Sequence, residues 1–580
     1  MDTIGELRKR SSKLVVLGWY MAQLTPGQAV VESLRAEGVK YVFGIVGGTF
    51  LGILDALYDA KDIQFISVRH EQGAAFMADG YARSSGKPGV CLVTNGPGAT
   101  NLVSGIYAAY TGHSPVIAIS GAPARDVVYR DAFQELDHLS LFRPITKQAI
   151  TVNVADRIPE LFRHAFRTAM GGKKGPVFID IPRDLLDAPP IEVDVASPES
   201  YRAHHRSPGD PALLRRAAEL LKNAKRPIII AGGGVNHSDA SQQVVELADL
   251  LSAPMITSYG RNDAVPNSHP LYVGPLGRAG APEAGEICSQ ADVILAAGTR
   301  LSNFTSFYDN RYISADAKVI QIEIDEAELG RNYPIEVGIQ GDAGAALQSI
   351  LDGLRADGSK AGIAPGWTDE AKALKAKRRA RIDEEAAWSG TPIKPQRVYA
   401  ELRKVLPPDA IMSLDAGACP AFGYDRLDFS NPRTMITPLD FGGLGFAFPE
   451  ALGAKLGRPE APVVAIHGDG GFLFNVQELE TAVREGIATV TIVMNNNVWG
   501  SEMAYQEALY PGRTIGSNIT NPRFDKLAEL FGAKGYYVDR AEDIGAVVME
   551  ALAGNVPAII EIPVDPKELP RPARLIESEH

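Results

Sequence analysis

GDGGFLFNVQELETAVREGIATVTIVMNNN, residues 468–497, decides how the rest of the chain is read. The apolar run VVAI, Val463 to Ile466, reads as a buried strand that enters the small turn Gly468, Asp469, Gly470, Gly471. A helical segment from about Asn475 to Glu485 follows, and the β-branched strand ATVTIVM then ends in three asparagines. In a parallel α/β sheet the carboxyl ends of both strands emerge on one edge, so Asp469 and Asn496 can meet although they stand 27 residues apart. A carboxylate and an amide carbonyl are hard oxygen donors that suit Mg²⁺ or Ca²⁺, and a glycine turn opening a helix suits a diphosphate. Alone, a GDG turn would serve equally well to cap a buried helix. With the strand, helix, strand and asparagine run at this spacing, it reads as a metal-diphosphate anchor.

The bulk properties set the frame around that anchor. A chain of 580 residues is too long for one core and suggests about three to four domains. Its 45% hydrophobic and 22% charged residues are those of an ordinary globular protein. A net charge of −12 argues against nucleic acid or an anionic membrane as the main partner, and no apolar run is long enough to span a bilayer. Cys91, Cys288 and Cys419 form no CxxC, so neither a zinc site nor a disulfide framework is indicated, and the thiols fit a reducing cytoplasm. At the N-terminus the basic Arg8 to Lys13 and the apolar LVVLGWYM imitate a secretory signal. The run is short and no A-x-A site follows, so an unstructured leader is expected, with folding from residue 22, Thr25 as helix N-cap and Pro26 at the first helical position.

Strand-like runs YVFGIV, IQFISV, GVCLVT, VIAISG and GPVFIDIP alternate with helical segments over residues 22–190. A second alternating unit with RPIIIAGGG, PMITS, DVILAAGT and KVIQIEID covers 208–355, and a third, holding the anchor, covers 390–566. The expected class is therefore α/β, with three doubly wound domains and mostly parallel sheets. Gly232-Gly233-Gly234 is not GxGxxG and gives no dinucleotide signal of its own. The Lys, Arg and Glu run Asp369 to Trp388 reads as a solvated connecting helix.

Three α/β units with GDG and NN at this spacing in the last resemble the three-domain thiamine-diphosphate (ThDP) enzymes of the acetolactate synthase-like family, over nearly all of residues 22–566. The resemblance implies an N-terminal pyrimidine-binding domain, a middle domain and a C-terminal diphosphate-binding domain. It also implies a homodimer or homotetramer whose subunits share each active site. By it, Glu71 in SVRHEQGAAF would hydrogen-bond N1′ of the cofactor's aminopyrimidine and promote loss of the thiazolium C2 proton. Gly47 and Gly48 in GIVGGTF, and Asn95 in TNGPGATN, would approach the cofactor from the same domain. Gln134, next to Phe133 in the FQE segment, would face the thiazolium, and His113 in TGHSPV is a candidate acid or base. In the last domain Leu444 would wedge the cofactor into a bent form. Asp469, Asn496 and the carbonyl of Val498 would hold Mg²⁺, while Gly468, Gly470, Gly471 and Trp499 would complete the cofactor site.

Two departures bear on the substrate. After the asparagines the chain reads NNNVWGSEMAYQE, with Tyr505 at the position of the acetolactate synthases' specificity tryptophan and Glu502 among residues that are apolar there, which makes Glu502 a candidate proton-transfer or specificity group. In the middle domain GTRLSNFTSF places Thr305 where those enzymes use an arginine to grip the acceptor's carboxylate. LGRAG, GHSPV and the WGxE pattern are similar to sulfoacetaldehyde acetyltransferase. The expected activity is making or breaking a C–C bond next to a carbonyl, on a 2-oxo acid, aldehyde or 2-hydroxyacyl substrate. A 2-hydroxyacyl-CoA lyase, acyl transfer to phosphate and a non-catalytic ThDP-binding paralogue stand as alternatives. FAD, ADP, part of a CoA ester or nothing would occupy the middle domain, where Arg278 and Arg300 are candidate phosphate contacts.

Overall fold

The computed structural model describes residues 19–203, 205–358 and 362–570, so the leader reading of residues 1–18 lies outside the described part, while the first strand, Trp19–Leu24, begins ahead of the expected start at residue 22. The chain divides into two compact units. Of the described residues, one comprises those up to 205 with 452–458 and 477–487; the other comprises those from 206 to 451, 459–476 and those from 488 on.

The first unit is built on a six-stranded, all-parallel sheet. Its order is Gln64–Ser67, Tyr41–Gly44, Gly89–Val93, Val116–Ala122, Val177–Pro182, Gln148–Thr151. The central strands are buried along their whole length, which is why they read as continuous apolar runs rather than alternating ones. Its first helix, Pro26–Ala36, starts with a capping box in which Thr25 and Gln28 bond each other's backbone. A separate antiparallel pair joins Trp19–Leu24 to Ile191–Ala196.

The second unit carries two more six-stranded parallel sheets. One runs Tyr272–Pro275, Met255–Thr257, Pro227–Ala231, Val293–Ala297, Lys318–Glu323, Val337–Gln340. The other runs Met435–Ile436, Ile411–Leu414, Val463–Gly468, Val490–Asn495, Ala558–Pro563, Lys534–Tyr537. Numbered along the chain, the strands of this last sheet and of the first unit's sheet follow the same order, 2-1-3-4-6-5, whereas the middle sheet follows 3-2-1-4-5-6. In each, the order reverses beside the first strand, and the crevice outside the carboxyl ends at that point is where open α/β sheets place ligands.

The charged segment predicted as a solvated connector is the helix Trp367–Ala386, and it is not solvated all round. Trp367, Ala371, Leu374, Arg378 and Ile382 recur at helical spacing and are buried. Arg378 pairs with the buried Asp425 at 2.7 Å, and Arg381 reaches Asp425 at 2.6 Å and Glu283 at 3.0 Å. Burial raises the Asp425 carboxyl, but the two guanidiniums overcome that and hold it below its ordinary range.

Candidate active site

In the second unit, the register Val464 opposite Val490 continues to Gly468 opposite Met494, so the two strands of the anchor end level with one another. Asp469 is 2% exposed and starts a one-turn helix, Asp469–Phe472; the longer helix begins only at Glu478, later than the sequence pattern indicates. The Asp469 Oδ2 atom accepts the backbone N–H of Asn497 at 2.6 Å and the side-chain amide of Asn521 at 2.8 Å, and Oδ1 accepts the N–H of Gly470 at 3.0 Å. The Gly470 N–H, expected to point at phosphate, is thus engaged with Asp469. Asn497 sits in the left-handed region at φ 57°, which turns the chain so that Val498 N–H donates to Asn496 Oδ1 at 3.3 Å and Trp499 N–H to the Ser517 carbonyl at 2.7 Å. The Trp499 ring lies against Gly470, where a Cβ would come within 2.4 Å of it, so this position admits no side chain unless the indole moves.

Burial raises the Asp469 carboxyl, and the groups that offset this are the neutral N–H donors of Gly470, Asn497 and Asn521. A buried carboxylate beside amide oxygens is a hard donor set that a divalent cation would relieve. Among the described residues no cluster of three or more His, Cys, Asp or Glu could hold a metal. On the neighbouring strand end, Asp415 accepts the N–H groups of Gly445 (3.1 Å) and Phe446 (2.8 Å) and faces His467 Nδ1 at 3.0 Å. This clamp fixes the turn that carries the half-buried Leu444. Glu502 lies in the first turn of helix Gly500–Leu509 and is exposed.

In the first unit, five of the expected residues, Glu71, Gly47, Gly48, Asn95 and Gln134, lie at the carboxyl edge of the sheet. Glu71 opens helix Glu71–Ser85 and is 9% exposed; its Oε2 accepts the Asn101 side-chain amide at 2.9 Å, and His70 caps the helix through Nδ1. Gly47 packs against Thr94, and Thr49 Oγ1 stands 3.2 Å from Thr94 Oγ1, which closes the strand ends across the switch point, while Gly48 begins a short 3₁₀ turn. The buried Asn95 amide donates to the carbonyls of Phe133 (3.2 Å) and Gln134 (2.9 Å) and so pins the FQE loop, in which Gln134 adopts φ 59°. Below it the buried His138 accepts the Gly96 N–H at 3.0 Å and meets Asp180 at 3.0 Å, whose carboxyl burial pushes up. His113 does not join this group. It is the left-handed C-cap of helix Pro97–Gly112, whose 16 residues carry the chain about 24 Å, from the carboxyl edge of the sheet to the amino edge.

In the middle sheet Thr305 is 2% exposed, and its hydroxyl accepts the Tyr259 N–H at 3.2 Å. Arg278 lies over the Phe304 ring at 4.7 Å and Arg300 faces Asp440 at 3.3 Å. Sequence reasoning missed Asn521, Asn101, Asp415, His467 and the His138–Asp180 pair. Of these only Asn101, in TNGPGATN, and Asp180, in the strand run GPVFIDIP, stood inside quoted segments. Asn521 lies in no pattern and reaches the site through tertiary structure alone.

This fold is that of the three-domain α/β class, with a candidate ligand crevice at the carboxyl ends of its strands, and comparison with known proteins gives it a family. Residues 24–141 match the thiamine pyrophosphate enzyme N-terminal TPP binding domain, residues 214–350 the central domain and residues 415–562 the C-terminal TPP binding domain. The chain is 38% identical over 554 residues to the "Probable acetolactate synthase large subunit" of Methanocaldococcus jannaschii, covering 93% of this chain and 92% of that protein. It is 37% identical to the acetolactate synthase large subunit of Haemophilus influenzae, with 94% and 96% coverage, and 37% identical to the sulfoacetaldehyde acetyltransferase of Alcaligenes xylosoxydans xylosoxydans, with 91% and 90%. The chain belongs to the thiamine-diphosphate-dependent enzymes of the acetolactate synthase and sulfoacetaldehyde acetyltransferase family. No described helix is long and apolar enough to cross a membrane.

Proposed function

We propose that the protein binds ThDP and Mg²⁺ and makes or breaks a C–C bond adjacent to a carbonyl. The observation that carries this reading is the buried Asp469 level with the asparagine run at the carboxyl edge of a parallel sheet. Asp469, the Asn496 side-chain oxygen and the Val498 carbonyl would hold the metal, with Gly468, Gly471 and Trp499 beside the diphosphate. Glu71, fixed by Asn101, would hold a proton at the pyrimidine nitrogen N1′. Gly47, Gly48 and Asn95 set the backbone around it, and Gln134 and Glu502 are proposed to face substrate. The chemistry the bound cofactor would supply is attack on a carbonyl carbon and storage of the electron pair released when a C–C bond breaks. Asp469→Ala tests the anchor: Mg²⁺-dependent ThDP binding, measured by calorimetry, should be lost, and unchanged affinity would refute it.

A second reading rests on Thr305. Its hydroxyl is already committed to the Tyr259 N–H, and a threonine offers no bidentate hold on a carboxylate, so the acceptor need not be a 2-oxo acid. Acyl transfer, the class of reaction that the name sulfoacetaldehyde acetyltransferase of a relative describes, with phosphate as the acceptor is the favoured alternative. Phosphate-dependent release of acetyl phosphate supports it, whereas an aldehyde with formyl-CoA marks a 2-hydroxyacyl-CoA lyase and acetolactate marks the 2-oxo acid condensation. We further propose domains over 22–190, 208–355 and 390–566 and a homodimer or homotetramer. Native mass spectrometry reads the subunit number and any FAD or ADP retained by the middle domain.

A further inference from the structure

Glu478 is an acid with no exposed surface, in the helix Glu478–Glu485 that the first unit takes from the far end of the sequence. Its Oε1 accepts the backbone N–H of His70 at 2.9 Å, and both its oxygens stand 3.2 Å from the N–H of Arg69. Those two residues immediately precede Glu71. The Thr481 hydroxyl donates to Oε2 at 2.7 Å, so the carboxylate is bound from two elements. It also occupies the place of a side chain in the first turn of the Glu71 helix, since a Cβ at Gly73 would stand 2.6 Å from Oε1. A second carboxylate therefore sits at the N-terminus of the helix that Glu71 opens, where the helix dipole and unpaired N–H groups favour negative charge.

We propose that Glu478 is a positioning residue for Glu71: it grips the backbone of Arg69 and His70 and thereby fixes the turn from which the Glu71 carboxyl projects. The role differs from that of Asn101, which holds the Glu71 carboxyl itself. Without Glu478 the two N–H groups lose their acceptors and the turn gains freedom, which loosens Glu71 while leaving its own side-chain contact in place. Ionisation strengthens the grip, because a carboxylate accepts where a protonated acid donates at one oxygen. Burial pushes this acid up to about 7, so the grip changes strength near neutral pH. The other groups bearing on Glu478 are Glu480 on its own helix, which raises it, and Arg69, whose guanidinium stands 4.0 Å from Glu480. On the segment that it grips, His70 and Glu71 are the adjacent titratable residues in sequence.

The inference rests on the proposed role of Glu71, and the test separates the two. The full chain loaded with ThDP and Mg²⁺, without substrate, is followed by the rate at which the cofactor's C2 proton exchanges with deuterium, for wild type, Glu71→Gln and Glu478→Gln. Backbone amide exchange in a peptide covering residues 66–74 is measured on the cofactor-free protein. Glu71→Gln should slow C2 exchange about 100-fold. Glu478→Gln should slow it about tenfold, flatten its pH profile around neutrality and speed amide exchange at residues 69 and 70, with ThDP affinity unchanged. If Glu71→Gln slows exchange but Glu478→Gln leaves both the C2 rate and the amide protection at wild-type values, the positioning role is wrong. If Glu71→Gln itself exchanges at the wild-type rate, the reading of Glu71 fails instead. Gly73→Ala, which pushes the Glu478 carboxylate from the opposite side, should reproduce the Glu478→Gln phenotype; wild-type exchange in it would overturn the proposal even if Glu478→Gln did not fold.

Discussion

Replacing Glu478 by glutamine should make the first unit more stable at alkaline pH. Burial raises this acid from its ordinary 4.5 to about 7, and at about 1.36 kcal/mol per pH unit the ionised form costs the folded chain about 3 kcal/mol relative to the unfolded one. Because the folded value is the raised one, the group's contribution is fully present below pH 4.5, declines as pH rises and is gone above about 7. Glutamine does not ionise and keeps the shape; its amide can face the Thr481 hydroxyl, and its single uncharged carbonyl accepts more weakly than a carboxylate, so the local hold on Arg69 and His70 loosens while the cost of burying a charge disappears. Native-state hydrogen exchange of the helix Glu71–Ser85 reads the opening free energy of this unit directly. Between about pH 5 and about pH 8, wild type should lose roughly 2–3 kcal/mol that Glu478→Gln does not lose. Equal pH dependence in the two proteins would show that Glu478 is not the buried acid described. The combination of a more stable fold with slower C2 proton exchange would mark a residue kept for function at the expense of stability.

Other outcomes follow from single contacts. Asn521→Ala removes the amide that donates to Asp469 Oδ2, and Mg²⁺-dependent ThDP affinity by calorimetry should fall roughly 10- to 100-fold, as for other residues that orient a metal ligand. Gly470→Ala drives a methyl into the Trp499 ring, and urea unfolding should show a loss of about 1–3 kcal/mol, with weaker cofactor binding. Arg378→Met leaves Asp425 facing only Arg381 in a buried place, and should cost the second unit about 3–5 kcal/mol in urea titration. Adding Asp425→Leu should recover much of that loss.

The strand, turn and strand around Asp469 were legible because two physical regularities agree: parallel strands end on one edge, and buried β-branched runs are hard to mistake at this length. The register Gly468 opposite Met494 is what that reasoning requires. The connector helix was misread because its charge hides its period; Trp367, Leu374 and Ile382 lie four or more residues apart among Lys and Arg, and the stripe shows only when burial is known. His113 was grouped with the site through its neighbours in sequence, although a helix of 16 residues separates the two edges of a sheet by its own length. Asn521 and the Asp415–His467 pair had no local signal, since each acts through contacts made only after distant segments fold together. Glu478 lay in the quoted stretch itself, but an acid in a helix start reads as a dipole partner, and only its burial and the two N–H groups it accepts mark it as more.

The composition of the first unit has a consequence for synthesis on the ribosome. Residues 452–458 and 477–487 belong to it, so the segment up to residue 205 emerges well before the unit can close. At about 5–20 residues per second, the intervening chain takes roughly a quarter of a minute to a minute to appear. Through that interval the Arg69 and His70 N–H groups wait without the Glu478 acceptor, and the helix that carries Glu71 lacks its second contact. The turn bearing Glu71 can therefore be locked only after the strand Val463–Gly468 has already been synthesised, which places the completion of this unit late in translation.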